Sequence, residues 1–158
     1  MGKANDSSSK AGEEQYAQFE LGKSGDSKAS ARGTIVISIP GGEDAPGEQT
    51  LRGTFNANDG GDTSIAGVVG SPIGDYVGIN LSFPFDITPG TYEVGVGKKV
   101  RGTIGWRWKH DELPAEPLIS GTFKLTDYKP ASVIINGAFK DLQYEGRKAD
   151  IKGTFKTD

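Results

Sequence analysis

Three stretches late in the chain share one pattern that decides the fold: Ile119-Ser120-Gly121-Thr122-Phe123, Ile135-Asn136-Gly137-Ala138-Phe139 and Ile151-Lys152-Gly153-Thr154-Phe155. In each stretch an isoleucine, a glycine and a phenylalanine occupy alternate positions. Alternation at period two is typical of a β-strand that buries one face. The pattern therefore predicts three strands whose glycines point inward with their apolar neighbours.

The same apolar-x-Gly-x-apolar pattern occurs three more times, centred on Gly33, Gly53 and Gly102. A glycine inside a strand marks a bulge, a tight bend or a close approach. We expect aromatic rings from neighbouring strands to fill the hollows that these six glycines leave, and the sheet to coil more tightly there. A phosphate-cradling role is disfavoured, because it requires a helix start or an amide nest after each glycine.

Period-two alternation runs through most of the chain, and turn signals such as Asn58-Asp59-Gly60-Gly61-Asp62 and Pro89-Gly90 divide it. The pattern predicts about ten strands, near residues 16–21, 31–39, 49–56, 63–69, 75–84, 91–97, 100–109, 117–126, 131–142 and 147–156. Many short strands with turn-rich joints favour an all-β fold, an antiparallel β-sandwich or flattened β-barrel. We expect a single β domain over residues 15–158, preceded by a disordered polar tether over residues 1–14.

Composition excludes several classes of protein. The chain has 158 residues, a formal net charge of −3 and no cysteine. The negative balance argues against a nucleic-acid partner, and the absence of cysteine rules out disulfides and thiolate metal sites. No apolar run approaches the roughly 18 residues of a membrane-spanning helix. The polar N-terminus carries no secretory signal, which fits a mature chain whose precursor bore a signal peptide and a lipid anchor.

Two neighbouring strands also carry a family resemblance. Leu118-Ile119-Ser120-Gly121-Thr122-Phe123 and the later Val133-Ile134-Ile135-Asn136-Gly137-Ala138-Phe139 resemble the C-terminal strands of small bacterial envelope lipoproteins, over residues 117–142. The resemblance implies an exported β-domain, which would be periplasmic, outer-membrane-associated or secreted. It implies no catalytic residue.

Catalytic and metal-binding motifs are weak. His110 is the only histidine, and no Gly-x-Ser-x-Gly elbow accompanies it, so an exposed loop histidine is the preferred interpretation. The segment Asn56–Asp62 resembles the start of a calcium-binding EF-hand loop, but Gly67 stands where that loop needs a bidentate glutamate. A hairpin loop explains it better. We therefore predict no catalytic residue, no metal and no cofactor.

Four aromatic residues are the candidate ligand-binding residues: Trp106, Trp108, Tyr76 and Tyr92. Aromatic faces offer apolar contact to sugars. The two tryptophans share a strand face with apolar residues, which favours the core, although Trp108 lies nearer the strand end and is the better candidate for a ligand contact. The opposite face of that strand is predicted to be wet, with a positive row of Arg101, Arg107 and Lys109.

These observations predict a non-enzymatic binding or structural module of a bacterial cell-envelope or secreted assembly, which recognises a protein or a glycan. Two alternatives remain open. A lipocalin-like barrel would hold an apolar small molecule in space that the inward glycines leave. A carboxylate-based glycoside hydrolase would need two acids facing each other across a cleft.

Overall fold

A computed structural model of the chain describes Glu13, Tyr16, Ala17, Phe19 and residues 29–109, 111–112, 119–144 and 147–158. It is all-β, as predicted. The strands are β1 (Ala29–Ile39), β2 (Gly47–Ala57), β3 (Asp62–Gly70), β4 (Tyr76–Pro84), β5 (Gly90–Val94), β6 (Arg101–Trp108), β7 (Asp111–Glu112), β8 (Ile119–Lys129), β9 (Ile134–Tyr144) and β10 (Arg147–Thr157). A short 3₁₀ turn at Pro130–Ser132 joins β8 to β9.

The strands form one antiparallel sheet in the order β5-β8-β9-β10-β1-β2-β3-β4-β6-β7. The first and last strands, β1 and β10, pair with each other in the middle of the sheet, with Ile35 opposite Phe155. The sheet curls into a half-barrel. Its edges approach where β5 runs into β6, because Val94 and Val100 form a parallel bridge.

The concave side of the sheet holds the main core. Alternate residues of the strands point into it, as period two requires. A row of phenylalanine rings crosses the interior: Phe83 lies 5.4 Å from Phe123, Phe123 lies 5.3 Å from Phe155, and Phe155 lies 6.5 Å from Phe139. These rings come from β4, β8, β10 and β9, so their packing holds opposite sides of the curled sheet together.

The six pattern glycines point inward as predicted, but a ring from a neighbouring strand fills the hollow only at Gly33, Gly137 and Gly153, because Phe55 belongs to the same strand as Gly53. A Cβ atom added at any of them would lie within 2.8 Å of a side-chain atom and point into occupied space. At four of them the neighbour is an aromatic ring, which is Phe55 for Gly33 and Gly53, Phe155 for Gly137 and Phe139 for Gly153. At Gly102 and Gly121 the neighbours are Leu81 and Leu142 instead. Leucines fill these two hollows because the opposite strands place no ring there.

A polar clamp joins β8 to the β3–β4 hairpin. The Tyr128 hydroxyl donates to the Phe85 carbonyl at 2.6 Å and lies 2.7 Å from the Thr63 hydroxyl, and the Tyr128 ring meets the Phe83 ring edge-on. Burial raises the pKa of Tyr128, the Thr63 hydrogen bond opposes that rise, and the negative charge of Asp86 adds to it. The clamp therefore holds a neutral phenol between two sides of the curl.

The prediction of a strand near residues 16–21 is wrong. Tyr16 and Phe19 have helical backbones and lie on the convex side of the sheet. Their spacing of three residues is the reason, since i and i+3 share a helix face whereas a strand face needs even spacing. The predicted tether over residues 1–14 falls outside the described residues except for Glu13, which is helical and exposed. No described helix is long and apolar enough to cross a bilayer.

Candidate functional site

The convex surface of β8, β9, β10, β1 and β2 carries many exposed charged residues. Its outward positions are polar because the inward positions of the same strands carry the core. The exposed cationic residues on this face include Arg52, which pairs with Asp158, and five others that we call the basic wall: Arg32, Lys124, Lys140, Lys152 and Lys156. The three salt bridges found among the described residues involve none of these five. The exposed acids Glu48 and Asp150 also lie on β2 and β10, so these cations are interspersed with negative charge.

Strand register fixes the spacing of these cations. On β10, Lys152 and Lys156 are four residues apart and point the same way, which separates their Cα atoms by about 13 Å. Lys152 pairs with Ser38 on β1, and Lys156 pairs with Thr34. Between them Thr154 pairs with Val36. Small side chains therefore lie between the lysines and leave the backbone surface accessible.

A groove of about 390 Å³ crosses this wall. It lies beside two irregularities in the β9–β10 pairing, where Asp141 and Asp150 adopt left-handed backbone angles, with φ of 54° and 49°. The residues that line it are Val36, Ser38, Glu48, Phe139, Lys140, Lys152, Gly153 and Thr154. Its volume lies within the range of small-ligand sites.

The residues around the groove include two lysines, two hydroxyl residues and one glutamate, although most of the surface inside it is apolar. Lys140 and Lys152 can donate charge-assisted hydrogen bonds to a ligand anion, and Ser38 and Thr154 can donate to or accept from ligand hydroxyls. Glu48 can accept hydrogen bonds from ligand hydroxyls. Phe139 is buried, so the groove presents no open aromatic face. These groups suit a ligand that is both acidic and rich in hydroxyls.

The four predicted aromatic residues do not form a common surface. Trp106 points to the interior, is 3% exposed and meets Tyr144 edge-on at 5.5 Å. Tyr76 lies on the other side of the same sheet, since it pairs with Arg107 while its neighbour Val77 pairs with Trp106. Tyr76 is 0% exposed. Neither residue presents a ring face to a ligand.

Trp108 and Tyr92 are both half-buried against the main core. Trp108 lies at the end of β6, where it pairs with Asp111. Tyr92 lies on β5, and its hydroxyl donates to the Thr88 carbonyl. Ligand contact by these two residues remains a prediction.

The other sequence candidates have mixed outcomes. The segment Asn56–Asp62 contains a hairpin turn between β2 and β3, as predicted, and Asp62 pairs with Arg101 at 2.8 Å. His110 lies outside the described residues. Among the residues that are described, no group of three or more acids or histidines is placed to hold a metal ion. The predicted wet face of β6 is only partly correct, because Arg101 and Lys109 are exposed but Arg107 is half-buried against the Tyr76 ring.

No family model, curated protein or solved structure matches the chain. The resemblance over residues 117–142 to envelope lipoproteins thus remains a prediction.

Sequence reasoning missed the basic wall. A signal was present, since Lys152, Thr154 and Lys156 occupy the polar phase of a strand whose apolar phase is Ile151, Gly153 and Phe155. What the sequence lacks is the strand order. Only the pairing of β10 with both β9 and β1 places Lys140, Lys152 and Ser38 around one groove.

Proposed function

We propose that this protein is a non-enzymatic binding module of a bacterial envelope or secreted assembly, and that its basic wall binds an acidic polysaccharide. The observation that carries the proposal is the groove in which Lys140 and Lys152 stand beside the hydroxyls of Ser38 and Thr154. Carboxylate or sulfate groups of the glycan meet the ammonium groups. Its ring hydroxyls meet Ser38, Thr154 and Glu48.

A glycan suits this wall better than a protein partner does. Protein interfaces concentrate tyrosine, tryptophan, methionine and arginine in a dry centre and are depleted in lysine. The groove instead has lysine, serine and threonine side chains around a mostly apolar floor that includes Val36. A linear polyanion needs no dry centre, because repeated charges along its length can meet lysines spaced along neighbouring strands.

The two alternatives have less support. The lipocalin-like alternative depends on space beside the inward glycines, and the rings of Phe55, Phe139 and Phe155 fill that space at four of the six. A glycoside hydrolase needs a pair of carboxylates across a cleft. The groove described here is lined by a single carboxylate, Glu48.

The proposal is tested by titrating the full chain with polygalacturonate, a carboxylated polysaccharide, and with neutral dextran at low ionic strength. We expect binding to polygalacturonate and none to dextran. Lys152→Glu should weaken binding by about fivefold or more, as removal of an exposed attraction worth about 1 kcal/mol implies. Lys99→Glu is the matched control, because Lys99 is an exposed lysine of the β5–β6 loop, away from β10 and β1, and should change affinity less than twofold.

Two outcomes would contradict the proposal, one of them measured with poly-glutamate as a further probe. Tighter binding to poly-glutamate than to polygalacturonate would indicate that the basic wall binds an acidic protein and not a glycan. Equal losses for Lys152→Glu and Lys99→Glu would show that the charge of the whole chain acts, and that the groove does not.

A further inference from the structure

A second convex surface, on the other side of the curl, contains a slot without side chains. On β4, Gly78 points outward, because its neighbours Val77 and Ile79 belong to the interior core. It pairs with Val68 on β3 and with Gly105 on β6. Two adjacent glycines on neighbouring strands leave a depression in the sheet surface.

The ring of Phe19 fills this slot. A Cβ atom added to Gly78 would lie 2.1 Å from Cδ2 of Phe19, and its three nearest neighbours would all be atoms of that ring. Phe19 is 2% exposed. Burial of a phenylalanine side chain is among the larger single contributions to an association.

Tyr16 and Tyr76 complete the contact. Tyr16 meets Tyr76 edge-on, with ring centroids 6.0 Å apart, and its hydroxyl donates to the Gly70 carbonyl at 3.3 Å. The Arg107 guanidinium lies 5.8 Å from the centre of the Tyr76 ring. The site therefore has an apolar slot for one ring. Beside it, the Tyr76 ring and the Gly70 carbonyl receive a second ring and its hydroxyl group.

This contact is separate from the main core. Phe19, Val68 and Tyr76 form their own buried cluster, with Tyr16 packed against it, on the opposite side of the sheet from the phenylalanine row. Tyr16 and Phe19 are three residues apart, which places both rings on one helix face. Recognition of a helix through anchors at i and i+3 is a recurrent mode of peptide binding.

We propose that the Gly78 slot is a recognition site for a helical Tyr-x-x-Phe segment, and that this chain occupies it with its own Tyr16 and Phe19. The segment acts as a ligand held in cis. A free peptide of the same sequence should bind the slot once the chain's own two rings have been removed by substitution. The site does not involve the basic wall, so its failure would leave the proposed glycan function untouched.

The test uses the full chain with Tyr16→Ala and Phe19→Ala, which vacates the slot, and a fluorescent peptide that spans residues 13–22. Fluorescence anisotropy should show binding to this variant at least about tenfold tighter than to the wild type, whose slot is occupied. A peptide with Phe replaced by Ala at position 19 should lose that binding.

Equal binding of the peptide to wild type and variant, or no binding to a variant whose strands still melt cooperatively, would overturn the proposal. A second variant covers the case in which the vacated chain does not fold. Gly78→Ala should displace the Phe19 ring, and amide exchange of Tyr16, Ala17 and Phe19 should then speed up while exchange in β9 and β10 stays unchanged. Unchanged exchange at these three residues would also contradict the proposal.

Discussion

Phe139 and Gly153 stand directly opposite each other in β9 and β10, and the phenylalanine ring occupies the space of the side chain that the glycine lacks. Two residues further along the same pair of strands the relationship is reversed, with Phe155 opposite Gly137. Each strand thus supplies a ring and a hollow to the other. This exchange fixes the register, since a slip of one strand by one residue would turn that strand's ring outward and leave the other ring opposite no hollow.

Substitution of an inward glycine should destabilise the protein. At Gly137 a Cβ atom would lie 2.2 Å from the Lys124 carbonyl oxygen and 2.6 Å from Cζ of Phe155, so the backbone itself must move. We expect Gly137→Val to lower the free energy of unfolding by about 1–3 kcal/mol, measured by urea denaturation. Gly74→Val is the control, because the nearest atom to a Cβ there is 3.7 Å away. Equal losses for both variants would contradict the inward placement.

Loss of the Tyr128 hydroxyl should also destabilise the fold. Tyr128→Phe removes two hydrogen bonds and leaves the Phe85 carbonyl and the Thr63 hydroxyl without that partner. A cost of about 1–2 kcal/mol is expected in thermal or chemical unfolding. Tyr92→Phe serves as the comparison, because the hydroxyl of Tyr92 bonds an exposed carbonyl at Thr88, and it should cost less than half as much.

The raised pKa of Tyr128 makes part of its contribution dependent on pH. Burial holds the folded-state pKa above the unfolded value of about 10. The folded chain therefore keeps this proton at a pH at which the unfolded chain loses it. Stability from this group is complete below pH 10 and is lost as pH rises through the folded pKa. The difference in unfolding free energy between wild type and Tyr128→Phe should stay constant from pH 7 to 9 and shrink above pH 10.

Binding of an acidic glycan should weaken with salt. The lysines of the basic wall are exposed, so their attraction for an anionic ligand is screened as the Debye length falls from about 10 Å at 0.1 M salt to about 3 Å at 1 M. Affinity for polygalacturonate should fall steadily between 0.05 and 0.5 M NaCl, and Lys140→Glu should flatten that dependence. Affinity that is insensitive to NaCl would count against the lysines as the binding groups.

Most strands were predictable because their signal is local. Ile35, Ile37 and Ile39 alternate with polar residues in β1, and the same period recurs in β2, β4 and β8 to β10, so one-sided burial alone locates these strands. The inward glycines were predictable for the same reason. The order of the strands was not, since nothing in β1 or β10 states that the two pair with each other.

The functional surfaces depended on the parts of the fold that the sequence states least clearly. The period-two alternation of most of the chain predicts a strand at Tyr16 and Phe19, although the spacing of these two residues is that of a helix. Gly78 points outward from β4, whereas the pattern glycines point inward. The sequence alone assigns no role to an outward glycine, and the role becomes visible only when the structure places the Phe19 ring on it. Neither the basic wall nor the Gly78 slot can be predicted without the order of the strands in the sheet, because each is formed by several neighbouring strands.

The interlock of inward glycines with rings is tested most directly at Gly53, where the nearest atoms to an added Cβ all belong to side chains, led by Cε1 of Phe55 at 2.8 Å. A double-mutant cycle with Gly53→Ala and Phe55→Leu separates the ring from the rest of the site. The ring is predicted to cause most of the cost of Gly53→Ala, so that cost should fall by at least half in the Phe55→Leu background. Strictly additive unfolding free energies would contradict the account.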